Sequence, residues 1–214
     1  MAAMDLTCLP SVVMSTVIFV SVWIAVAQHT RQRGPNTAAR LLIKANSYFY
    51  SLVSLLLFLY IVQSKSTKER SYSGAGYLYH LSKFWEYIDI ILVTATRGTI
   101  DLHFAFHHLT TPYLTYVRVI RYAEGGTWKG FAALNTLHHV LMYAFFGGWN
   151  FLRPALPFTG CLQLVAGILV EIWEIQRKFT KTEKNDGIWP HLVTGGLLAC
   201  YLILFIRDLR MRST

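Results

Sequence analysis

Charged residues are few in this chain: 14% of its 214 residues, where a soluble domain carries about 25%. An ordinary cytosolic domain is therefore excluded. Cysteine is nearly missing. The three present, Cys8, Cys161 and Cys200, all lie in apolar surroundings and make no disulfide framework. There is no internal repeat, no low-complexity segment and no polar stretch long enough for a soluble domain. Apolar sequence, by contrast, makes up 54% of the chain and aromatic sequence 14%, which excludes disorder. A polytopic membrane protein fits this balance.

A helix needs about 20 apolar residues to cross roughly 30 Å of hydrocarbon. Seven stretches qualify or nearly do: 8–27, 41–63, 77–95, 102–120, 128–149, 155–175 and 188–206. The second and seventh are the clearest. The fourth is the least apolar, because histidines interrupt it. Each connector carries Gly, Pro or a charge cluster, as helix ends should. The expected fold is all-α, a single seven-span membrane domain over residues 1–214. Ala25-Val26-Ala27 follows the first apolar run and resembles a signal-peptidase site. The run is long, however, and only Asp5 is charged ahead of it, so a retained span is expected.

The net charge of +9 is spread over both faces. With a non-cytosolic N-terminus, nine Lys and Arg fall on the cytosolic side and eleven on the other, which sets no orientation. No basic stripe forms, so no nucleic-acid partner is expected. The charge suits anionic lipid headgroups or an anionic soluble substrate.

Ionisable groups inside spans are costly, so each marks a function or a buried pair. Lys83, Glu86 and Asp89 follow one another at i,i+3 and can share a helix face. They read either as a salt-bridged helix entry or as the polar wall of a buried site. His103 and His107 are i,i+4 on one face, with His108 rotated by about 100°. Three histidines within six residues of an apolar span point to metal ligation or to histidine chemistry. Asn135, His139 and Tyr143 form an i, i+4, i+8 stripe. Asn can fix an imidazole tautomer and Tyr can donate to a developing oxyanion; the alternative is polar residues joining helices. Gln163, in the sixth span, is a further amide expected to face the interior.

These clusters resemble the fatty acid elongase (ELO) family of very-long-chain fatty acid condensing enzymes. The family's Lys-x-x-Glu-x-x-Asp motif matches Lys83, Glu86 and Asp89. The end of its histidine box matches Phe106-His107-His108, with Pro112 four residues on. Its Asn-x-x-x-His-x-x-Met-Tyr motif matches Asn135, His139, Met142 and Tyr143, and its Gln-Leu-Val matches Gln163-Leu164-Val165. Order and spacing agree from about residue 40 to 175. Some positions differ. The first His of the box falls on Phe104, with His103 one residue early. The Thr after the motif Asp is Ile90, the Tyr-Tyr after Met-Tyr-x is Phe145-Phe146, and the second Gln of the sixth-span motif is Ala166, with Thr159 one position off.

The resemblance implies a six-helix barrel of spans two to seven with a peripheral first span. It also implies a multi-pass endoplasmic reticulum protein that condenses acyl-CoA with malonyl-CoA, releasing CO2 and CoA. No cofactor or metal is implied beyond these substrates. The partners implied are the two CoA thioesters, membrane lipid and the other enzymes of the elongation cycle; a homodimer is compatible. By the same resemblance, His107 is the nucleophile that forms an acyl-enzyme. His108 and His139 position the thioester or stabilise negative charge, Asn135 orients His139, and Tyr143 is a candidate donor. Glu86 and Asp89 hold the histidines or Lys83, and Gln163 is a weaker partner. Arg97, Arg153 and Arg207 lie on the family's cytosolic side, as candidates for CoA phosphates. His103 replaces the missing first histidine only if the helix is locally over- or under-wound.

Two other classes compete. His-x-x-x-His-His is a box used by di-iron membrane desaturases and hydroxylases, which need about eight ligands from several boxes. His29, His80 and His191 stand isolated in the sequence, and His138-His139 lacks an upstream partner. The third class is a non-catalytic seven-span lipid-binding or transport protein of the same fold.

Overall fold

The computed structural model describes residues 5–64, 74–122, 126–181 and 187–213, and is helical almost throughout. Helix α1 (Leu9–Arg33) opens with a proline in its first turn, where a missing N–H leaves nothing unsatisfied. Helix α2 (Thr37–Gln63) is capped by Asn36, whose side chain accepts from Ala38 N–H at 2.9 Å. The Asn36 N–H donates in turn to Ala95 O at 2.9 Å, tying the start of α2 to the end of the third span.

That third span is one stretch in the sequence and two helices in the structure. Helix α3 (Gly74–Trp85) and helix α4 (Tyr87–Arg97) meet at Glu86. A tight Asp89 N–H to Glu86 O bond of 3.2 Å closes the turn between them. The joint separates the acids that simple helix spacing placed on one face. Helix α4 stops at Gly98, whose φ of +74° is left-handed, a conformation glycine adopts without a Cβ penalty. Helix α5 (Leu102–Thr115) contains Pro112 and runs into a π turn, Tyr116–Arg121, closed by Tyr122 N–H to Val117 O at 3.0 Å. Helix α6 (Trp128–Gly147), a short 3-10 turn (Asn150–Leu152), helix α7 (Ala155–Lys181) and helix α8 (Trp189–Ser213) complete the chain.

The helices close a ring. Helix α2 packs on α6, α6 on α7, α7 on α8, and α8 on α5; α5 then meets α3 and α4, which return to α2. Counting α3 and α4 as one span gives six members. Helix α1 lies outside, against α4 and α5. This is the expected barrel with its peripheral first span.

Helices α1, α2, α7 and α8 are long and apolar enough to cross a membrane. The other spans fall short among the described residues: the joint at Glu86 divides the third, α5 ends after 14 residues where the π turn begins, and polar side chains interrupt α6. Burial runs opposite to that of a soluble protein. Leu41, Val62, Phe158 and Ile203 are 74%, 61%, 69% and 66% exposed, whereas Lys83, Glu86, His108, Asn135, His139 and Gln163 are buried. Apolar surface faces outward and polar groups face one another, as lipid requires. The protein is therefore a multi-pass membrane protein.

Without a hydrophobic drive between helices in lipid, close packing carries their association. Gly167 shows this at the α6–α7–α8 junction. A Cβ there would stand 2.7 Å from Phe131 Cδ2 and 2.9 Å from Leu198 Cδ1. Gly167→Val is expected to destabilise the barrel by about 1–3 kcal/mol, the usual range for overpacking. A lowered thermal midpoint in detergent checks this; an unchanged midpoint contradicts it.

Candidate functional site

Glu86, at the α3–α4 joint, has no exposed surface. Its Oε1 accepts from Lys83 Nζ at 2.7 Å and from the Tyr50 hydroxyl at 2.9 Å, and lies 3.3 Å from His139 Nδ1. Its Oε2 has no hydrogen-bond partner; the nearby His108 Nδ1 is 3.8 Å away. The joint thus points one carboxylate at residues from α2, α3, α5 and α6. Lys83 makes a second bond, 2.7 Å, to Asn135 Oδ1, and the Tyr79 hydroxyl donates to the same oxygen at 3.0 Å. With its oxygen filled by two donors, Asn135 turns its amide nitrogen to Gln163 Oε1 at 2.8 Å. A continuous chain results: Gln163, Asn135, Lys83, Glu86, then the histidines.

Asn135 was expected to orient His139. The structure gives that place to Glu86, because Lys83 reaches across from α3 and occupies the Asn135 oxygen. Asp89 also parts from Lys83. The Tyr143 hydroxyl donates to its Oδ2 and Asn46 Nδ2 to its Oδ1 at 2.8 Å. Tyr143, expected as a candidate donor, gives its hydroxyl proton to Asp89 while its ring packs edge-on against Tyr50 and His139.

His107 differs from its neighbours. The residue is partly accessible and its Nδ1 is buried with no partner; the His108 Nδ1 is likewise unpartnered, but His108 as a whole is buried. The rings of Tyr201, His108 and His103 stand 4.7, 5.3 and 6.1 Å away, centre to centre. His138 turns to α7 and bonds Thr159 Oγ1 at 2.8 Å. His103 does not move into the place of the missing box histidine. Helix α5 stays α-helical to Thr115 and the π turn begins only afterwards, so His103 faces Asp208 Oδ2 at 3.1 Å. Arg97, Arg153 and Arg207 are exposed at the end of α4, before α7 and near the end of α8. Successive spans alternate in direction, which puts all three at one end of the barrel.

Glu86, His107 and His139 offer donor atoms within 4.8 Å of one another. The Lys83 ammonium already sits on this carboxylate, so a second cation there would meet like charge. The other histidines do not converge on the trio. His80 bonds Thr115 and Leu6 O, His191 faces Glu171, and His29 is exposed. Among the described residues no two-metal ligand set assembles.

Sequence reasoning missed Tyr50, Tyr79, Tyr201 and Asn46, residues of ordinary appearance in membrane helices. Only Tyr79 carries a signal, one turn before Lys83 on the same face. A second buried network was missed as well. Arg118 Nε donates to Glu171 Oε1 at 2.7 Å, and Glu171 Oε2 meets His191 Nδ1 at 2.6 Å. Arg118 also donates to Tyr122 O at 3.1 Å and to the Thr127 hydroxyl.

A sequence model of ELO, the GNS1/SUR4 family, matches residues 6–209. The chain belongs to the ELO family. The ELO match takes in every residue of the polar centre. The very long chain fatty acid elongase 7 of Rattus norvegicus is 36% identical over 73 residues, 33% of this chain and 26% of that protein. The matched stretch thus spans about a quarter of that curated relative. The departures of this ELO chain from the motif pattern have occupants in the structure. Phe104 lies against the His108 ring at 4.3 Å, and Ile90 fills the apolar cluster of Phe19 and Tyr87.

Proposed function

We propose that this ELO protein is a fatty acid elongase, a 3-ketoacyl-CoA synthase of the endoplasmic reticulum membrane. The observation that carries the reading is His107: a partly accessible histidine with an unpartnered Nδ1, packed between Tyr201 and His108. A nucleophile must be reachable and unsaturated, and among the box histidines His107 combines both. Lys83 is committed to Glu86 and Asn135, and Tyr143 to Asp89, so neither competes with His107 as the nucleophile.

In the first half-reaction His107 attacks the thioester carbonyl of acyl-CoA and the CoA thiolate leaves. The acyl-imidazole is reactive, and a water-poor interior protects it from hydrolysis. In the second, malonyl-CoA loses CO2 and its carbanion attacks the acyl carbonyl, giving a 3-ketoacyl-CoA two carbons longer. His139 and His108, both beside Glu86, stabilise the oxyanions. In this reading Arg97, Arg153 and Arg207 bind the CoA phosphates as charge-assisted partners. The product then passes to the other enzymes of the elongation cycle.

The test is extension by reconstituted protein of acyl-CoAs of graded length with labelled malonyl-CoA. Label in an acyl-CoA two carbons longer supports the reading. Binding of acyl-CoA with no extension at any length overturns it in favour of a lipid-binding member of the fold. The proposed chemistry runs through imidazole alone, so chelators are expected to leave the rate unchanged. Stoichiometric iron with chelator-sensitive turnover would turn the reading toward an oxygen-activating enzyme.

A further inference from the structure

The proposed reaction consumes a proton. Acyl-CoA, malonyl-CoA with its free carboxylate and one H⁺ give 3-ketoacyl-CoA, CO2 and CoA. In the first half the His107 N–C bond forms, the C–S bond breaks, and the ring proton of His107 must reach the departing sulfur. In the second half the N–C bond breaks, and the imidazole must regain a proton that comes ultimately from water. A group that connects His107 with water is therefore required.

Most groups around His107 are committed elsewhere. Lys83 is held by Glu86 and Asn135, His138 by Thr159, and the Tyr201 hydroxyl by Thr110 at 2.6 Å. His108 keeps an unpartnered Nδ1 but is buried against Phe104 and Glu86. His103 is different. Its ring stands edge-on to His107, and its Nδ1 meets Asp208 Oδ2 from α8. The His103 and Asp208 side chains keep 18% and 14% of their surface accessible, whereas His108, His139 and Glu86 keep 4%, 4% and 0%. The pair lies at the barrel end that carries Arg97, Arg153 and Arg207. The carboxylate fixes the orientation of the imidazole and stabilises its cation, and transfer through one intervening water keeps it in range of His107.

We propose that His103 and Asp208 form a proton-transfer pair serving His107. His103 takes the ring proton of His107 and passes it to the CoA thiolate during acylation, then returns a proton from water as the acyl group departs. His103 is thus the proton carrier between His107 and the thiolate, and Asp208 is a positioning residue that acts through His103. The inference rests on the acyl-His107 reading.

The experiment compares wild type, His103→Gln, Asp208→Asn and His107→Ala, reconstituted, in two assays. One is CoA release from acyl-CoA alone; the other is extension with labelled malonyl-CoA. His103→Gln and Asp208→Asn are expected to slow both by about 100-fold, the lower end of proton-transfer contributions. The KM for either CoA ester should hardly change, and added imidazole should restore His103→Gln but not His107→Ala. Wild-type rates in both variants overturn the proposal. A slow His103→Gln that imidazole does not rescue also overturns it and leaves only a packing role. If His103→Gln fails to fold, Asp208→Asn decides alone through its CoA-release rate at unchanged KM. Failure of wild type to extend any substrate instead overturns the elongase reading itself.

Discussion

Replacing Glu86 with alanine is expected to destabilise the protein by about 3–5 kcal/mol and to abolish elongation. Removing one partner of a buried ion pair leaves the other charge uncompensated, and that range is its usual cost. Here the stranded group is Lys83, buried and left with Asn135 Oδ1 as its hydrogen-bond acceptor and the Tyr79 ring beneath it. Tyr50, at 2.9 Å from the lost oxygen, also loses its side-chain acceptor. The double variant Lys83→Met with Glu86→Leu removes both charges together and should recover most of the thermal midpoint, because well-packed apolar replacements of buried pairs are often neutral. It should stay inactive, since His108 and His139 then face no carboxylate. Thermal midpoints and labelled malonyl-CoA incorporation on the same preparations separate the two effects. A folded and active double variant would show that the pair serves only the fold.

The second large effect belongs to His107. His107→Ala should reduce extension below about one-thousandth of wild type, as expected when the nucleophile of a concerted unit is removed. Stability should suffer less than in Glu86→Ala, because the His107 Nδ1 makes no hydrogen bond whose loss would orphan a partner. Incubating wild type with acyl-CoA and no malonyl-CoA should add one acyl mass to a peptide containing His107. His108→Ala should still acquire that mass, whereas His107→Ala should not. An adduct on His139 instead would move the nucleophile to α6 and keep the chamber.

The spans and the polar clusters were legible in the sequence because both are local. Apolar runs of about 20 residues are visible without a partner, and histidines inside such runs stand out. The pairing between clusters was not legible. Asn135 and His139 share a face of α6, so spacing joins them, yet Lys83 on α3 decides what Asn135 binds. The joint at Glu86 is hidden for a similar reason. A hydropathy window averages across it, and nothing in Trp85-Glu86-Tyr87 is a helix breaker of the Gly or Pro kind. Arg118, near the end of the 102–120 stretch, was counted only toward the charge of one face. The π turn and the Glu171 carboxylate bring it inside instead.

The Arg118–Glu171–His191 network bears on how the molecule is made. Its members come from the end of the fourth span and from helices α7 and α8, which leave the ribosome in that order. Arg118 has no carboxylate until α7 has entered the bilayer, and Glu171 has only half its partners until α8 follows. Before α7 enters, Arg118 has only Tyr122 O and the Thr127 hydroxyl, which leave its charge without a counter-ion. The last helix to enter thus completes a charge network that the fourth span alone leaves open.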